Sequence, residues 1–321
     1  AFAAFFQAVN RPRIPMYVAV LANAVNIALN YVLIFGNFGF PRLGVAGAAV
    51  STSCALFVHA VLLGTVFLSP HFHAAFGTRT RRAFDARRIK ELVRIGIPSG
   101  ASMFLDIANW GIFTSFVVGY FGSQQLAAHS IAVSFIHVCF MPAVAINQAI
   151  APIVGQWIGR RDIPRAKART YTALRLAMAY MTVAGVTLAV FGGWLIATLF
   201  SDDPAVIQLG HKLLILAAFF QAFDAINIIC IGALRGTGDT RWMMWAMFFV
   251  AYVFFLPLAL CFAFLFGGGA FGAWFAAALY IVVLSATLFY RFHGERWREI
   301  NIFSQEVRPT PEEIEQLASD I

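Results

Sequence analysis

Apolar runs of about 20 residues or more, separated by short polar connections, recur along this chain from its first residues to about residue 292. A helix needs roughly 20 apolar residues to cross a bilayer core. Runs of that kind fall at 14–36, 44–69, 92–121, 126–158, 171–200, 205–234, 242–266 and 270–292. Residues 1–9 read as the tail of a further span. The pattern predicts an all-α, polytopic membrane protein with about eight complete transmembrane helices here.

The connections alternate in charge. One set holds Arg11 and Arg13; then Arg79, Arg81, Arg82, Arg87, Arg88, Lys90 and Arg94; then Arg160, Arg161, Arg165, Lys167 and Arg169. It continues with Arg235 and Arg241 and ends with Arg291, Arg296 and Arg298. The other set, at 36–44, 119–125, 201–204 and 266–272, has Arg42 as its single basic residue. The positive-inside rule assigns the first set to the cytoplasm.

Composition agrees with this class. The chain is 60% apolar and 12% charged, with a mean hydropathy of +0.77, whereas soluble domains carry about 25% charged residues. So few charges cannot cover a surface facing water. The net charge of +8 lies in the connections, which argues for membrane topology and against a nucleic-acid partner. Cys54, Cys139, Cys230 and Cys261 stand apart within apolar runs, a spacing that supports neither a disulfide framework nor a zinc site. No signal peptide precedes the apolar sequence that begins at Ala1, so the start reads as a truncation.

The two ends of the chain resemble each other at a constant offset of 228. Gln7–Arg13 lies over Arg235–Arg241, Gly39 over Gly267, Gly44 over Gly272, and Ala48-Ala49 over Ala276-Ala277. Both copies begin in a basic connection, as parallel repeats do. Four spans precede the second copy and nine residues precede the first. Equivalent halves would make the complete protein two six-helix lobes. The predicted organisation is the C-terminal part of a first lobe (1–69), a cytoplasmic interlobe linker (70–94), a second lobe (95–292) and a cytoplasmic tail (293–321). Within the tail, Thr310-Pro311-Glu312-Glu313 reads as a helix start.

The chemistry centres on two acids. Asp106 is the only formally charged residue between Ile97 and Gly159, and Asp224 the only one between Leu213 and Leu234. A carboxylate at the middle of a membrane helix costs roughly 2.5–3.5 kcal/mol, so it needs a partner, a water-filled cavity or a proton. Asp106 lies 12 residues beyond Arg94, and Asp224 lies 11 before Arg235. At about 1.5 Å per residue, both sit roughly 16–18 Å from the cytoplasmic edge, near the midplane. Ser99, Ser102, Asp106 and Asn109 share one helix face, and Gln221, Asp224 and Asn227 another. The expected site is a cation site of Asp106 and Asp224 in a polar cavity supported by Ser102, Asn109, Gln221 and Asn227. Trp110, Phe220 and Phe223 lie beside it as substrate contacts able to stack on a flat cation. The amides and hydroxyls have an alternative use as links between membrane helices. Two such carboxylates can exchange a proton, or hold Na⁺ with the amide oxygens.

Other polar positions carry less. Asn23, Asn26 and Asn30 share a face of the first full span, and His129 and His137 lie in the fourth; packing or interhelical hydrogen bonds account for them. Gly236-Thr237-Gly238-Asp239 matches the GxGD string of intramembrane aspartyl proteases. It falls between Arg235 and Arg241, in a cytoplasmic connection where a turn is expected.

Several of these stretches resemble the multidrug and toxic compound extrusion (MATE) family. They are Val25–Tyr31, Gly96-Ile97-Pro98, Leu126–Ala132, Gly155–Gly159 and Ala233–Arg241, which occur in the family's order over nearly the whole chain. The resemblance implies twelve helices in two lobes and export of organic cations in exchange for H⁺ or Na⁺. In the NorM-like branch, an acid in helix seven and an aspartate in helix ten form a cation site. Asp106 and Asp224 match those positions. The branch more often has Glu in helix seven, and its tyrosine one turn before the helix-ten aspartate is Phe220 here, which removes a hydroxyl from a Na⁺ site. The family's first-helix aspartate would precede this sequence.

The resulting expectation is a multidrug efflux antiporter, not an enzyme, with H⁺ or Na⁺ as coupling ion and no other cofactor. Its partners are amphipathic cations and membrane lipid, it works as a monomer, and it resides in the bacterial inner membrane. A lipid or polysaccharide flippase is the alternative within transport. Such flippases tend to carry basic residues in the central cavity, where these spans carry acids. An aspartyl protease would need the GxGD aspartate within the membrane.

Overall fold

A computed structural model describes residues 2–79, 86–294 and 296–299. The regular structure among these residues is helical throughout. Eight of the helices are long and apolar enough to cross a membrane: Arg13–Phe35, Val45–Phe67, Ile89–Phe121, Ser123–Gly159, Ile163–Leu199, Pro204–Thr237, Thr240–Leu265 and Gly269–His293. The predicted spans match them to within a few residues except the fifth, which starts at Ile163 rather than 171. There Asp162 caps the helix by accepting from the Arg165 backbone N–H (3.0 Å), so Arg165, Lys167 and Arg169 belong to the first turns of the helix. The chain is a multi-pass integral membrane protein.

The chain packs as two compact units, within residues 1–85 and 86–307. The first contains α1 (Phe2–Ala8), α2 (Arg13–Phe35), α3 (Val45–Phe67) and α4 (Pro70–Phe76). Its buried centre is Phe6, Leu63 and Phe72, ringed by edge-to-face aromatic pairs such as Phe5 with Phe67 (4.9 Å) and Phe6 with Phe72 (5.2 Å). The first residues of the predicted linker thus form a helix of this unit. Residues 80–85, most of the predicted tail and the Thr310–Glu313 helix start lie outside the described residues.

The second unit is built from α5 (Ala86–Ile112), α6 (Ser123–Gly159), α7 (Ile163–Leu199), α8 (Pro204–Thr237), α9 (Thr240–Phe248), α10 (Leu256–Leu260) and α11 (Gly269–His293). α5 widens into a π-helical stretch at Phe113–Val118, and π-helical stretches at Phe249–Phe255 and Cys261–Leu265 join α9 and α10 into one span. α8 is the central helix, packed by α6, α7 and α11. Lipid gives helices no hydrophobic reason to associate, so close packing and polar links must do it. α7 illustrates the division. Leu174, Ala177, Met181, Gly185, Leu188, Gly192 and Ile196 form its buried stripe, while Leu176, Val183, Val190 and Trp194 face outward and are at least 60% exposed. Between α6 and α8, the buried Asn147 donates its Nδ2–H to the Ile228 carbonyl. The helices are so close there that a Cβ on Gly232 would stand 2.7 Å from the Asn147 carbonyl oxygen.

The internal repeat has a counterpart in the elements. Moved by 228, α2 becomes 241–263, within the Thr240–Leu265 span, and α3 becomes 273–295, against Gly269–His293 for α11. Gly39 and Gly267, superimposed at that offset, both have positive φ, 83° and 65°.

Candidate cation site

Asp106 and Asp224 come together inside the second unit. Asp106 lies on α5, two turns past Pro98, whose missing N–H leaves the Arg94 carbonyl without its helical donor. Asp106 is half-buried, with the Trp110 indole one turn on beside it. Asp224 lies on α8, also half-buried, and accepts from Asn227 Nδ2 at 3.2 Å. The two carboxylates are near enough to feel each other's charge.

The supporting polar residues divide into two groups. Asn227 bonds Asp224 through Nδ2, while its Oδ1 is buried with no partner among the described residues. Asn109 is fully buried, and neither its Oδ1 nor its Nδ2 has a partner there. A buried amide left unpaired costs about 1–3 kcal/mol per group, so these atoms are candidates for bound water or an ion. Ser102 and Gln221 are placed differently. Ser102 is buried and turns its hydroxyl back to the Ser99 carbonyl (2.9 Å). Gln221 is buried where α8 meets α7, a Cβ on Gly185 being 3.2 Å from its Oε1, and its Oε1 and Nε2 likewise have no hydrogen-bond partner among the described residues.

The aromatic candidates also separate. Trp110 is half-buried and leans on Phe113 (5.7 Å) and Phe255 (6.2 Å). Phe223 is half-buried beside the exposed Phe219. Phe220 is 3% exposed and committed to Trp274, so its face is already covered.

Three residues outside the predicted set join the site. Tyr280 on α11 is buried, stacked on Phe255 at 4.8 Å, and its hydroxyl meets the charges of both Asp106 and Asp224. Tyr252 meets Asp106 and donates its O–H to the Leu105 carbonyl at 3.0 Å, tying the α9–α10 span to α5. Arg235, near the end of α8, is half-buried and its charge attracts Asp106. Nothing in the sequence singled out the tyrosines, which lie in spans read only as apolar runs.

Comparison with known proteins decides the family. The MatE family model matches residues 98–261, about half of the chain and the stretch that holds both carboxylates. The chain belongs to the MatE family. It is 35% identical over 299 residues to the multidrug resistance protein NorM of Burkholderia vietnamiensis, covering 90% of this chain and 63% of the relative. It is 30% identical over 306 residues to the probable multidrug resistance protein NorM of Thermotoga maritima, covering 95% and 65%. A crystal structure of a mutant of the Vibrio cholerae MATE transporter VcmN shares the fold with a TM-score of 0.80 at 17% identity, over 92% of this chain and 66% of that one. The chain therefore spans less than two thirds of the length of the curated relatives it matches. These relatives are named multidrug resistance proteins, and the family places this multi-pass chain in the bacterial inner membrane.

Several of the remaining polar positions in this MatE chain have structural partners. The GxGD string spans the end of α8 and the tight turn into α9, with Gly238 at φ 77° closing α8. Asp239 is 4% exposed and its Oδ2 lies 2.7 Å from Arg291 Nε, while the Arg291 guanidinium covers the Trp242 ring at 5.0 Å. His129 is buried and links three elements: Trp274 Nε1 donates to its Nδ1 (3.0 Å), and its Nε2 is 2.9 Å from Thr114 Oγ1. An indole N–H only donates, so Nδ1 accepts and Nε2 carries the proton toward Thr114. His137 is exposed beside Phe140. In the first unit Asn30 Nδ2 donates to Asn26 Oδ1 (2.9 Å), and Asn23 is exposed.

Proposed function

We propose that the complete protein is an efflux antiporter that expels amphipathic organic cations in exchange for H⁺ or Na⁺, with Asp106 and Asp224 as its cation site. One observation carries the reading: two carboxylates share a field inside a membrane-spanning bundle, with the unpaired amide oxygens of Asn109 and Asn227 among their helical neighbours. Such a cluster has a use for a cation and little use as packing. The names of the relatives agree with a multidrug substrate range. In this reading residues 1–69 complete a first lobe, 70–94 link it on the cytoplasmic side, and 95–292 form the second lobe. Alternating access of the two lobes then moves cation and drug in opposite directions, in a monomer surrounded by lipid.

The test uses the full-length protein in vesicles, with ethidium efflux driven by a H⁺ gradient or a Na⁺ gradient separately. Asp224→Asn is expected to lose at least about 90% of gradient-driven efflux while inserting normally, since it removes one of the two charges that hold the ion. Efflux at the wild-type rate in that variant refutes the assignment. Lipid translocation in the same vesicles without ethidium efflux favours a flippase.

A further inference from the structure

α7 and α11 both pack on α8, and the start of one meets the end of the other through aromatic and polar side chains. The Tyr171 hydroxyl lies 2.9 Å from His293 Nδ1, and the Tyr171 ring stands edge-on to the buried Phe292 at 6.3 Å. Trp297 stacks on the same Phe292 at 5.6 Å and donates its indole N–H to the Phe292 carbonyl. His293 itself is exposed and stacked on Phe289 at 5.8 Å. One turn beyond Tyr171, on the same face of α7, stands Arg175, also exposed. Met178, a further turn on, and Phe289 are half-buried against the core of Ala177, Met181 and Ile228. The two helix ends thus frame a groove with an apolar floor and a basic, hydrogen-bonding rim.

Both rim residues lie at the depth of lipid headgroups. A hydrocarbon core takes about 20 residues of helix. Counted from the far end, it brings α7 from Leu199 to about residue 179 and α11 from Gly269 to about residue 289. Arg175 and His293 each stand about four residues, or roughly 6 Å, farther on. The side chain of Arg175 leans toward the start of α7, away from the hydrocarbon. No hydrogen bond or ion pair holds its guanidinium among the described residues. Asp162 and Asp239, at the same end, are taken by Arg165 (3.1 Å) and Arg291 (2.7 Å). A guanidinium in that layer calls for an anion, and a phosphate fits its fork of donors. We propose that this groove binds one anionic phospholipid, its phosphate on Arg175 and His293 and an acyl chain along Met178 and Phe289. With Tyr171 donating to Nδ1, His293 presents Nε2–H to the phosphate. A soluble phosphate has no use for the apolar floor, which is what selects a lipid.

The experiment is native mass spectrometry of the full-length protein in detergent, titrated with phosphatidylglycerol or phosphatidylcholine. Wild type is expected to hold phosphatidylglycerol about fivefold more tightly than phosphatidylcholine, the gain from one basic residue at a charged lipid surface. Arg175→Gln is expected to erase that preference, and Arg175→Lys to keep part of it, since the charge stays but the fork goes. Tyr171→Phe frees the His293 ring and should weaken binding about threefold with the preference retained. Arg169→Gln removes an equal charge from the exposed side of α7, about 120° around the helix from Arg175, and should leave the preference standing. Excess glycerol phosphate should not compete. The proposal is overturned if wild type binds the two lipids alike, or if Arg169→Gln and Arg175→Gln lose equally, as a diffuse surface charge requires. Displacement of the lipid by glycerol phosphate also overturns it, because that marks a free-anion site.

Discussion

Replacing Arg291 by Met removes one partner of the most buried ion pair described in the chain. The Nε–Oδ2 distance to Asp239 is 2.7 Å, and the side chains are 17% and 5% exposed. At that separation the Coulomb attraction is about 6 kcal/mol with an effective dielectric constant near 20. Desolvation of both groups offsets much of it, so the pair's net worth is smaller. The single substitution is costlier, because it strands the Asp239 carboxylate; loss of one partner from a buried pair costs about 3–5 kcal/mol. The pair lies at helix ends, at the start of α9 and in the last turn of α11, so the lower end, about 3 kcal/mol, applies. Met keeps an apolar stem over Trp242, so lost packing contributes little. For 150–250 residues each kcal/mol moves Tm by about 2–4 °C, which predicts a fall of roughly 6–12 °C. The assay is thermal unfolding of the full-length protein in detergent, followed with a thiol-reactive dye that reaches the buried Cys230 only on unfolding. Asp239→Asn combined with Arg291→Met should recover part of the loss, since no charge is stranded. A shift under about 2 °C in the single variant, or a double variant no more stable than the single, refutes the reasoning.

Two further substitutions probe the packing around α8. His129→Phe keeps a ring against Phe113 and Trp274 but leaves the Trp274 N–H unpaired, at a cost of about 1–2 kcal/mol and a Tm lower by about 3–6 °C; an unchanged melting curve counts against the linking role. Gly232→Val drives a side chain into the Asn147 carbonyl and the Ile150 methyl, both 2.7 Å from its Cβ, and should cost about 2 kcal/mol or more, seen as loss of a monodisperse peak in size-exclusion chromatography. Gly111→Ala, with nothing within 4 Å of its Cβ, serves as the control and should be neutral or stabilising; equal damage by both substitutions would remove the close-approach argument.

The spans are legible in the sequence because the bilayer demands length and apolarity together, and both are local properties. The fifth span shows where locality fails. Arg165, Lys167 and Arg169 read as a connection by polarity, yet Asp162 caps a helix that carries them in its first turns. Charge marks the edge of the membrane there, not the end of the helix. The GxGD string was legible as a turn because Gly238 needs positive φ. That its aspartate is buried against Arg291, 52 residues away, is a tertiary fact without a local signal.

The site divides along the same line. Asp106 and Asp224 stand out because a lone charge in an apolar run is costly, and cost leaves a trace in composition. Their one-turn neighbours Trp110 and Asn227 follow from helical periodicity; Trp110 stands beside Asp106 and Asn227 bonds Asp224. Phe220 and Gln221 follow from the same periodicity but turn to other helices, because position along α8 does not say which neighbour a face meets. Tyr252 and Tyr280 reach the carboxylates from helices whose apolar runs gave no reason to select them. Their arrival bears on the hydroxyl missing at Phe220. An oxygen of that kind is present near both acids, supplied by α11 and not by α8. Arg235 shows the limit most sharply. In the sequence it served as a ruler for the depth of Asp224; in the fold its guanidinium belongs to the electrostatics of Asp106.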